Sequence, residues 1–166
     1  MGLDCGIYLV IPSKSGGKYH SIDLCYMRKC YGLSRNIFDC ITDKYKAFED
    51  CENPTPYDIS YSYVNRRFIA AELFKDMLVE VDKEIERMDS EMRHSGVTEW
   101  LDTDSIWDAG VYVRYIHKVR LELQSLIYWL EGKISLEMLF DIAGQNYTDE
   151  EDFDLENMRV TFYYSY

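Results

Sequence analysis

The sequence predicts an α+β fold, in which a small antiparallel sheet contains the N- and C-terminal strands and packs against a long helical hairpin and short helices. Two observations lead to this prediction. Apolar runs of strand length occur near both ends of the chain, and apolar residues recur at helical spacing between them. Strands at the ends with helices between them are typical of α+β domains. The length of 166 residues indicates a single domain over residues 1–166.

The first two strands are predicted at residues 4–12 and 19–27. They flank the glycine-rich turn Ser13–Lys18, and a short loop between two strands indicates an antiparallel hairpin. The alternation in the second strand predicts one face with His20, Ile22, Leu24 and Tyr26, and another with Tyr19, Ser21, Asp23 and Cys25. The turn lacks the spacing of a phosphate-binding loop, so we do not expect it to bind phosphate.

The middle of the chain is predicted to be mainly helical. Ser34 is a suitable N-cap for a short helix to about Tyr45, and the prolines within residues 49–57 indicate a loop. An alternating tyrosine pattern at 57–63 predicts a strand. Two amphipathic helices follow, one at about 65–93 and one that ends before Gly132. Their apolar stripes are Phe74, Met77, Val81, Ile85, Met88 and Met92, then Tyr112, Ile116, Val119, Leu123, Leu126 or Ile127, and Leu130.

The end of the chain is predicted to contain a short helix at about Ser135–Ile142, an acidic loop and an aromatic strand at 158–165. The terminal segments Met1–Pro12 and Met158–Tyr166 are both expected to be ordered strands of one sheet, because an apolar strand with an unpaired edge is a liability in water. The connection between the long helices, with Trp100 and Trp107, is longer than a simple bundle needs.

The charge is strongly negative and unevenly distributed. The net charge is −12, yet residues 1–46 carry seven Lys or Arg against four Asp, whereas residues 134–166 carry eight acids against Arg159 alone. Phosphate backbones require cations, so direct binding of nucleic acid is disfavoured. A partner with a basic surface is favoured instead, since a negative surface steers cationic proteins toward itself. The simpler interpretation is that the charge keeps a small protein in solution.

The candidate partner-binding residues combine this acidity with a high tyrosine content. Fifteen tyrosines provide large amphipathic side chains that suit interfaces, although tyrosine also fills strands. The candidates are Asp149, Glu150, Glu151, Asp152, Asp154, Tyr163 and Tyr164. The four acids at 149–152 adjoin one another in a polar segment where we expect no core packing. Arg28 and Lys29 are a candidate anion-binding pair.

Both ends of the chain carry motifs that resemble a known group of proteins. The chain opens Met1-Gly2-Leu3-Asp4, continues with the aromatic-basic segment Leu24–Leu33, and ends in the aromatic strand Met158–Tyr166. It is similar in these segments to small, uncharacterised bacteriophage and prophage proteins, although Met27 stands where that group has Trp. The resemblance implies a phage-type accessory protein in the host cytosol. The acidic C-terminal region, the tyrosines and the lack of a catalytic motif favour action by binding, with inhibition of a host or anti-phage defence protein as the expected outcome, and one version of this is mimicry of nucleic acid.

Signs of enzyme chemistry are weak. The three histidines are not at the spacing of a helical zinc site, and no nucleophile-elbow motif is present. We therefore predict no catalytic residue, metal or cofactor. An alternative is a small phage-encoded hydrolase or nucleotide-modifying enzyme with a site near Asp4, His20, Arg28 and Lys29. The five scattered cysteines indicate reduced thiols, and no apolar run reaches the length of a membrane span.

Overall fold

The computed structural model of the chain describes residues 4–28, 58–64, 67–95, 107–147 and 152–165, and its fold is α+β as predicted. The elements in order are β1 (Asp4–Pro12), β2 (Tyr19–Arg28), β3 (Asp58–Val64), α1 (Arg67–Ser95), α2 (Trp107–Leu130), α3 (Leu136–Ile142), a short 3-10 helix (Leu155–Asn157) and β4 (Arg159–Ser165). The predicted helix from Ser34 to Tyr45 and the predicted loop at 49–57 lie outside the described residues.

Within the described residues, the sheet has four antiparallel strands in the order β2-β1-β4-β3. The first and last described strands are therefore direct neighbours at its centre, with Asp4 opposite Ser165 and Val10 opposite Arg159. The prediction that both ends contribute strands to one sheet is confirmed over these residues. Central placement suits β1, because Ile7, Leu9 and Ile11 are buried on one of its faces.

The β1–β2 hairpin is closed by a turn that only glycine tolerates well. Gly16 and Gly17 have φ angles of 79° and 78°, in the left-handed region where a side chain is disfavoured. The Ser13 amide donates to the Lys18 carbonyl at 3.0 Å, which fixes the start of the turn. The sequence Ser-Gly-Gly therefore determines where β1 reverses direction.

The predicted faces of β2 are wrong in its second half, because the strand contains a β-bulge. Ile7 of β1 pairs with Leu24, whereas Cys5 pairs with Met27, so two residues of β2 occupy the space of one on β1. Cys25 takes a φ of 57°, which is uncommon for a residue other than glycine.

The bulge changes which side chains of β2 enter the core. Ile22 and Leu24 are buried as predicted, but Cys25 and Met27 are also buried, although Cys25 was assigned to the opposite face. Tyr26 is only half-buried and meets the Tyr115 ring edge-on, with 5.9 Å between the ring centroids. One extra residue thus inverts the alternation for the rest of the strand.

The predicted helical hairpin is confirmed, with small changes at its ends. The buried stripe of α1 contains Phe74, Met77, Val81 and Met88, and Ile85 is partly buried at its edge. The buried stripe of α2 contains Ile116, Val119, Leu123, Leu126 and Ile127. Trp107 begins α2 and does not belong to the connection between the helices.

Ion pairs cross the exposed side of the two long helices. Arg120 Nε lies 2.6 Å from an Asp82 oxygen, and Lys75 Nζ lies 3.1 Å from a Glu131 oxygen. The helix α2 also packs against β2, so it lies between α1 and the edge of the sheet. Exposed ion pairs contribute little to stability, so the buried stripes hold this hairpin together.

The short helix α3 begins where it was predicted. The Ser135 side chain accepts a hydrogen bond from the Met138 amide at 3.2 Å, which is the N-cap interaction that serine favours. Leu136, Leu139 and Phe140 are buried on its inner side. This places α3 against the same core as the hairpin helices and leaves its acidic residues outside.

Candidate functional site

The acid-rich end of the molecule is the part of the chain from residue 134 to 158. It contains eight acidic residues and no lysine or arginine, and these acids are Glu137, Asp141, Asp149, Glu150, Glu151, Asp152, Asp154 and Glu156. The structure describes its two halves, 134–147 and 152–158, whereas Asp149, Glu150 and Glu151 lie outside the described residues. The geometry below therefore concerns the two halves.

An aromatic cluster fixes the second half to the core. Phe153 is only 1% exposed and stacks on Phe140 of α3, with 6.0 Å between the ring centroids. Tyr147 meets both of these rings edge-on, and the His20 ring of β2 lies 4.5 Å from Phe153. The expectation that no core packing is at stake in this segment is therefore wrong at Phe153.

Backbone hydrogen bonds attach the same segment to the β1–β2 turn. The Lys14 amide donates to the Asp152 carbonyl, and the Asp154 amide donates to the Pro12 carbonyl, both at 2.8 Å. Ser13 and Phe153 form an isolated β-bridge between these two bonds. Because Lys14 and Lys18 are exposed in this turn, part of the basic N-terminal region lies beside the acidic segment.

The Asp152 side chain reinforces this attachment. Its carboxylate accepts a hydrogen bond from the Ser13 hydroxyl, and the Ser15 hydroxyl lies 3.5 Å from the same oxygen. The Ser13 hydrogen bond lowers the pKa of Asp152 below its ordinary value of 3.8, because it stabilises the ionised form. Asp152, which was predicted to bind a partner, therefore has a partner within the chain.

Asp154 also has a local role. Its carboxylate accepts from the Asn157 amide at 3.3 Å and from the Asn157 side chain at 2.7 Å, so it is the N-cap of the short 3-10 helix. The two described members of the predicted acidic set thus help to hold the segment in place. Both carboxylates therefore have a structural role within the acid-rich end.

The outer side of α3 adds acids that sequence reasoning left out of the candidate surface. Glu137 and Asp141 are exposed and four residues apart, so they lie on one side of the helix. Met138 between them is 52% exposed. The spacing of these acids opposite the buried Leu139 and Phe140 was a signal in the sequence, and it indicates an outward-facing acidic patch.

The candidate residues Tyr163 and Tyr164 lie in β4, between β1 and β3. Tyr163 lies opposite Gly6 of β1 and Ser60 of β3, whereas Tyr164 lies opposite Cys5 and Ile59. The two tyrosines therefore occupy consecutive positions of the ladder. The proposed tyrosine-rich face stays a prediction.

The alternative enzyme site is not assembled by the hairpin. Arg28 lies opposite Asp4 at one end of the hairpin, whereas His20 lies opposite Ile11 at the other. Asp4 and Ile11 are seven positions apart on the extended strand β1, which corresponds to about 23 Å. Lys29 lies outside the described residues, so the anion-binding role of Arg28 and Lys29 stays a prediction.

A buried carboxylate on α2 was missed by the sequence analysis. Glu122 is 1% exposed, and its carboxylate accepts a hydrogen bond from the Cys25 backbone amide at the bulge. Lys118 Nζ lies 3.6 Å from its other oxygen. Burial raises the pKa of Glu122, because removal from water disfavours the charged form, and the Cys25 and Lys118 contacts oppose that effect.

Two further residues of the long helices, Arg87 and His117, lie on the surface. Arg87 of α1 bonds Glu84 and Glu91, as expected for a solvated helix face, and His117 of α2 is exposed. Among the described residues, no cluster of histidine, cysteine, aspartate or glutamate is arranged to hold a metal ion.

Comparisons with protein-family models, with curated proteins and with solved structures found no match to this chain. None of the described helices combines the length and the apolar character needed to cross a membrane.

Proposed function

We propose that this protein acts by binding a partner protein that presents a cationic surface, and that the acid-rich end is the contact. One observation carries the proposal. The acid-rich end has eight acids and no lysine or arginine in 25 residues, and its described second half is attached to the core at Phe153. Glu137, Asp141 and Glu156 are exposed in the two described halves. A concentrated negative surface accelerates encounter with a cationic protein.

The attachment of the segment favours binding further. A segment that is ordered before it meets its partner loses less conformational entropy on association than a segment that orders only on binding. The Phe153 cluster and the hydrogen bonds to Pro12 and Lys14 supply that order at residues 152–154. Asp149, Glu150 and Glu151 directly precede this anchor in the chain.

The partner that fits the resemblance to phage proteins is a host or anti-phage defence protein in the host cytosol, which this protein would inhibit. Occupation of a basic groove that normally holds phosphates is one form of such inhibition. The exposed Lys14 and Lys18 beside the acidic segment make uniform mimicry of nucleic acid less suitable than a local acidic contact. The separation of His20 from Asp4 and Arg28 gives no support to the enzyme alternative.

A pair of matched charge reversals tests the proposal. We expect Glu137→Lys with Asp141→Lys to weaken capture of the partner from bacterial cytosol and to slow association with the purified partner by on the order of tenfold at low salt. The control is Glu86→Lys with Asp89→Lys on α1, which changes the net charge equally and should have a smaller effect. Wild-type association should slow as salt rises, because the Debye length is about 8 Å at physiological ionic strength.

A second variant examines the acidic loop itself. Glu150→Lys with Glu151→Lys reverses two candidate residues and spares Asp152, whose carboxylate bonds Ser13. We expect reduced capture with an unchanged melting temperature. Equal capture by the wild type and all three variants, with no salt dependence, would exclude the acid-rich end and leave the tyrosines of β4 as the remaining candidate surface.

A further inference from the structure

The bulge gives β2 a register that differs from the one its alternating sequence predicts. In the observed register Tyr26 does not continue the alternation of Ile22 and Leu24, and Cys25 and Met27 enter the core instead. In a register without the bulge, Cys25 would lie opposite Gly6 and Tyr26 opposite Cys5. That register follows the strict alternation of the sequence and avoids the left-handed conformation of Cys25, which has a φ of 57°.

The helix α2 contacts the bulge at two points. The Glu122 carboxylate accepts from the Cys25 amide, and the Cys25 sulfur lies 3.8 Å from the Val119 carbonyl oxygen. The other charged groups that act on the carboxylate are Lys118 on its own helix and Asp23 on β2. The Cys25 amide therefore has a carboxyl oxygen as its acceptor deep in the protein, where an unpaired amide would be costly.

The same edge of β2 is closed by a second side chain. The Gln145 amide nitrogen donates to the Ser21 carbonyl, and its oxygen accepts from the Asp23 amide, each at 3.0 Å. Gln145 and Glu122 thus bond the backbone of β2 at residues 21, 23 and 25, along the edge of the strand that does not pair with β1. These hydrogen bonds cover the edge, and they also restrict how far β2 can slide along β1.

We propose that Glu122 selects the register of β2. Its carboxylate stabilises the bulged register by accepting a hydrogen bond from the amide of Cys25, the residue whose left-handed conformation lies in the bulge, and without an acceptor at this position the hairpin takes the regular register. Glu122 lies among fully buried apolar residues of α2, such as Leu123 and Leu126. An apolar side chain of similar size, such as leucine, would fit this environment without the cost of burying a carboxylate. The bulge requires an oxygen acceptor at this position, which an apolar residue would not provide.

The first test measures exposure of the Cys25 thiol by alkylation with iodoacetamide, followed by peptide mass spectrometry that separates Cys25 from the other cysteines. Glu122→Gln keeps an oxygen acceptor and should leave Cys25 as protected as in the wild type. Glu122→Leu removes the acceptor and should raise the alkylation rate by on the order of tenfold, the change expected when a buried amide loses its hydrogen-bond partner.

The second test is a double-variant cycle that remains informative when Glu122→Leu folds poorly. Deletion of Cys25 removes the extra residue, which leaves Tyr26 opposite Gly6 and Met27 opposite Cys5 without a bulge. We expect this deletion to lower the melting temperature in the wild-type background and to raise it in the Glu122→Leu background. Leu126→Ala is the control for simple loss of stability, and it should expose Cys25 only in proportion to global unfolding.

Two results would overturn the proposal. One is equal protection of Cys25 in Glu122→Leu and the wild type. The other is a deletion of Cys25 that changes the melting temperature by the same amount in both backgrounds, because the residue and the carboxylate would then be independent.

Discussion

Glu122 and Asp152 both accept hydrogen bonds from the β1–β2 hairpin, yet their pKa values shift in opposite directions. Burial raises the pKa of Glu122 above its ordinary value of 4.5, whereas the Ser13 hydrogen bond lowers that of Asp152 below 3.8. A raised pKa means that the folded protein binds the proton more tightly than the unfolded chain, and a lowered pKa means the reverse. The two residues should therefore respond differently to acid.

We predict opposite pH profiles for Glu122→Gln and Asp152→Asn, measured as the free energy of unfolding in urea at several pH values. As pH falls from 7 toward 4.5, the wild type should gain stability relative to Glu122→Gln, because Glu122 takes up its proton in the folded state first. As pH falls below 3.8, the wild type should lose stability relative to Asp152→Asn. Parallel profiles for both variants would contradict this assignment.

These two residues show why the candidate site was only partly predictable. Glu122 lies 97 residues from Cys25 along the chain, and Asp152 lies 139 residues from Ser13. Local periodicity contains no information about such distant partners. The sequence placed Asp152 in a solvated acidic loop. Its hydrogen bond from the Ser13 hydroxyl depends on the burial of Phe153, which brings the segment to the β1–β2 turn.

At the scale of elements, periodicity predicted the helices well, because each apolar stripe reflects one buried side. Leu123 is completely buried in α2, as its position in the stripe indicated, whereas Ile85 of α1 is only partly buried. The strand β2 was predicted correctly in extent but not in its faces. The left-handed Cys25 causes the difference, and no glycine or proline marks that position in the sequence.

The helical hairpin provides a graded test of burial. Leu123→Asp should lower the free energy of unfolding by more than roughly 3 kcal/mol, because it places an unpaired charge in the closed core. Ile85→Asp should cost less, since a carboxylate at the edge of the stripe reaches water. Urea denaturation of both variants measures the difference, and an equal loss would mean that the stripe of α1 is misassigned at Ile85.

At the scale of the whole molecule, the two terminal strands occupy the centre of the sheet. The strand β1 pairs with β2 on one side and β4 on the other, and Ile7, Leu9 and Ile11 pack beneath it. We predict that its amides are the slowest in the sheet to exchange with deuterium, because their release requires unfolding of the whole sheet. Mass spectrometry of peptides from β1 and β2 tests this, and faster exchange in β1 would contradict it.

The central position of β4 also has a consequence for synthesis on the ribosome. The strands β1 and β2 emerge first and can pair at once, and the long helices follow. In the described sheet, β3 pairs only with β4, and β1 keeps one open edge until residues 159–165 appear. Until β4 is synthesised, β1 and β3 therefore both lack the strand that joins them in the sheet. Interruption of translation before Arg159 would release a protein in which the β1–β2 hairpin and β3 are not connected by hydrogen bonds.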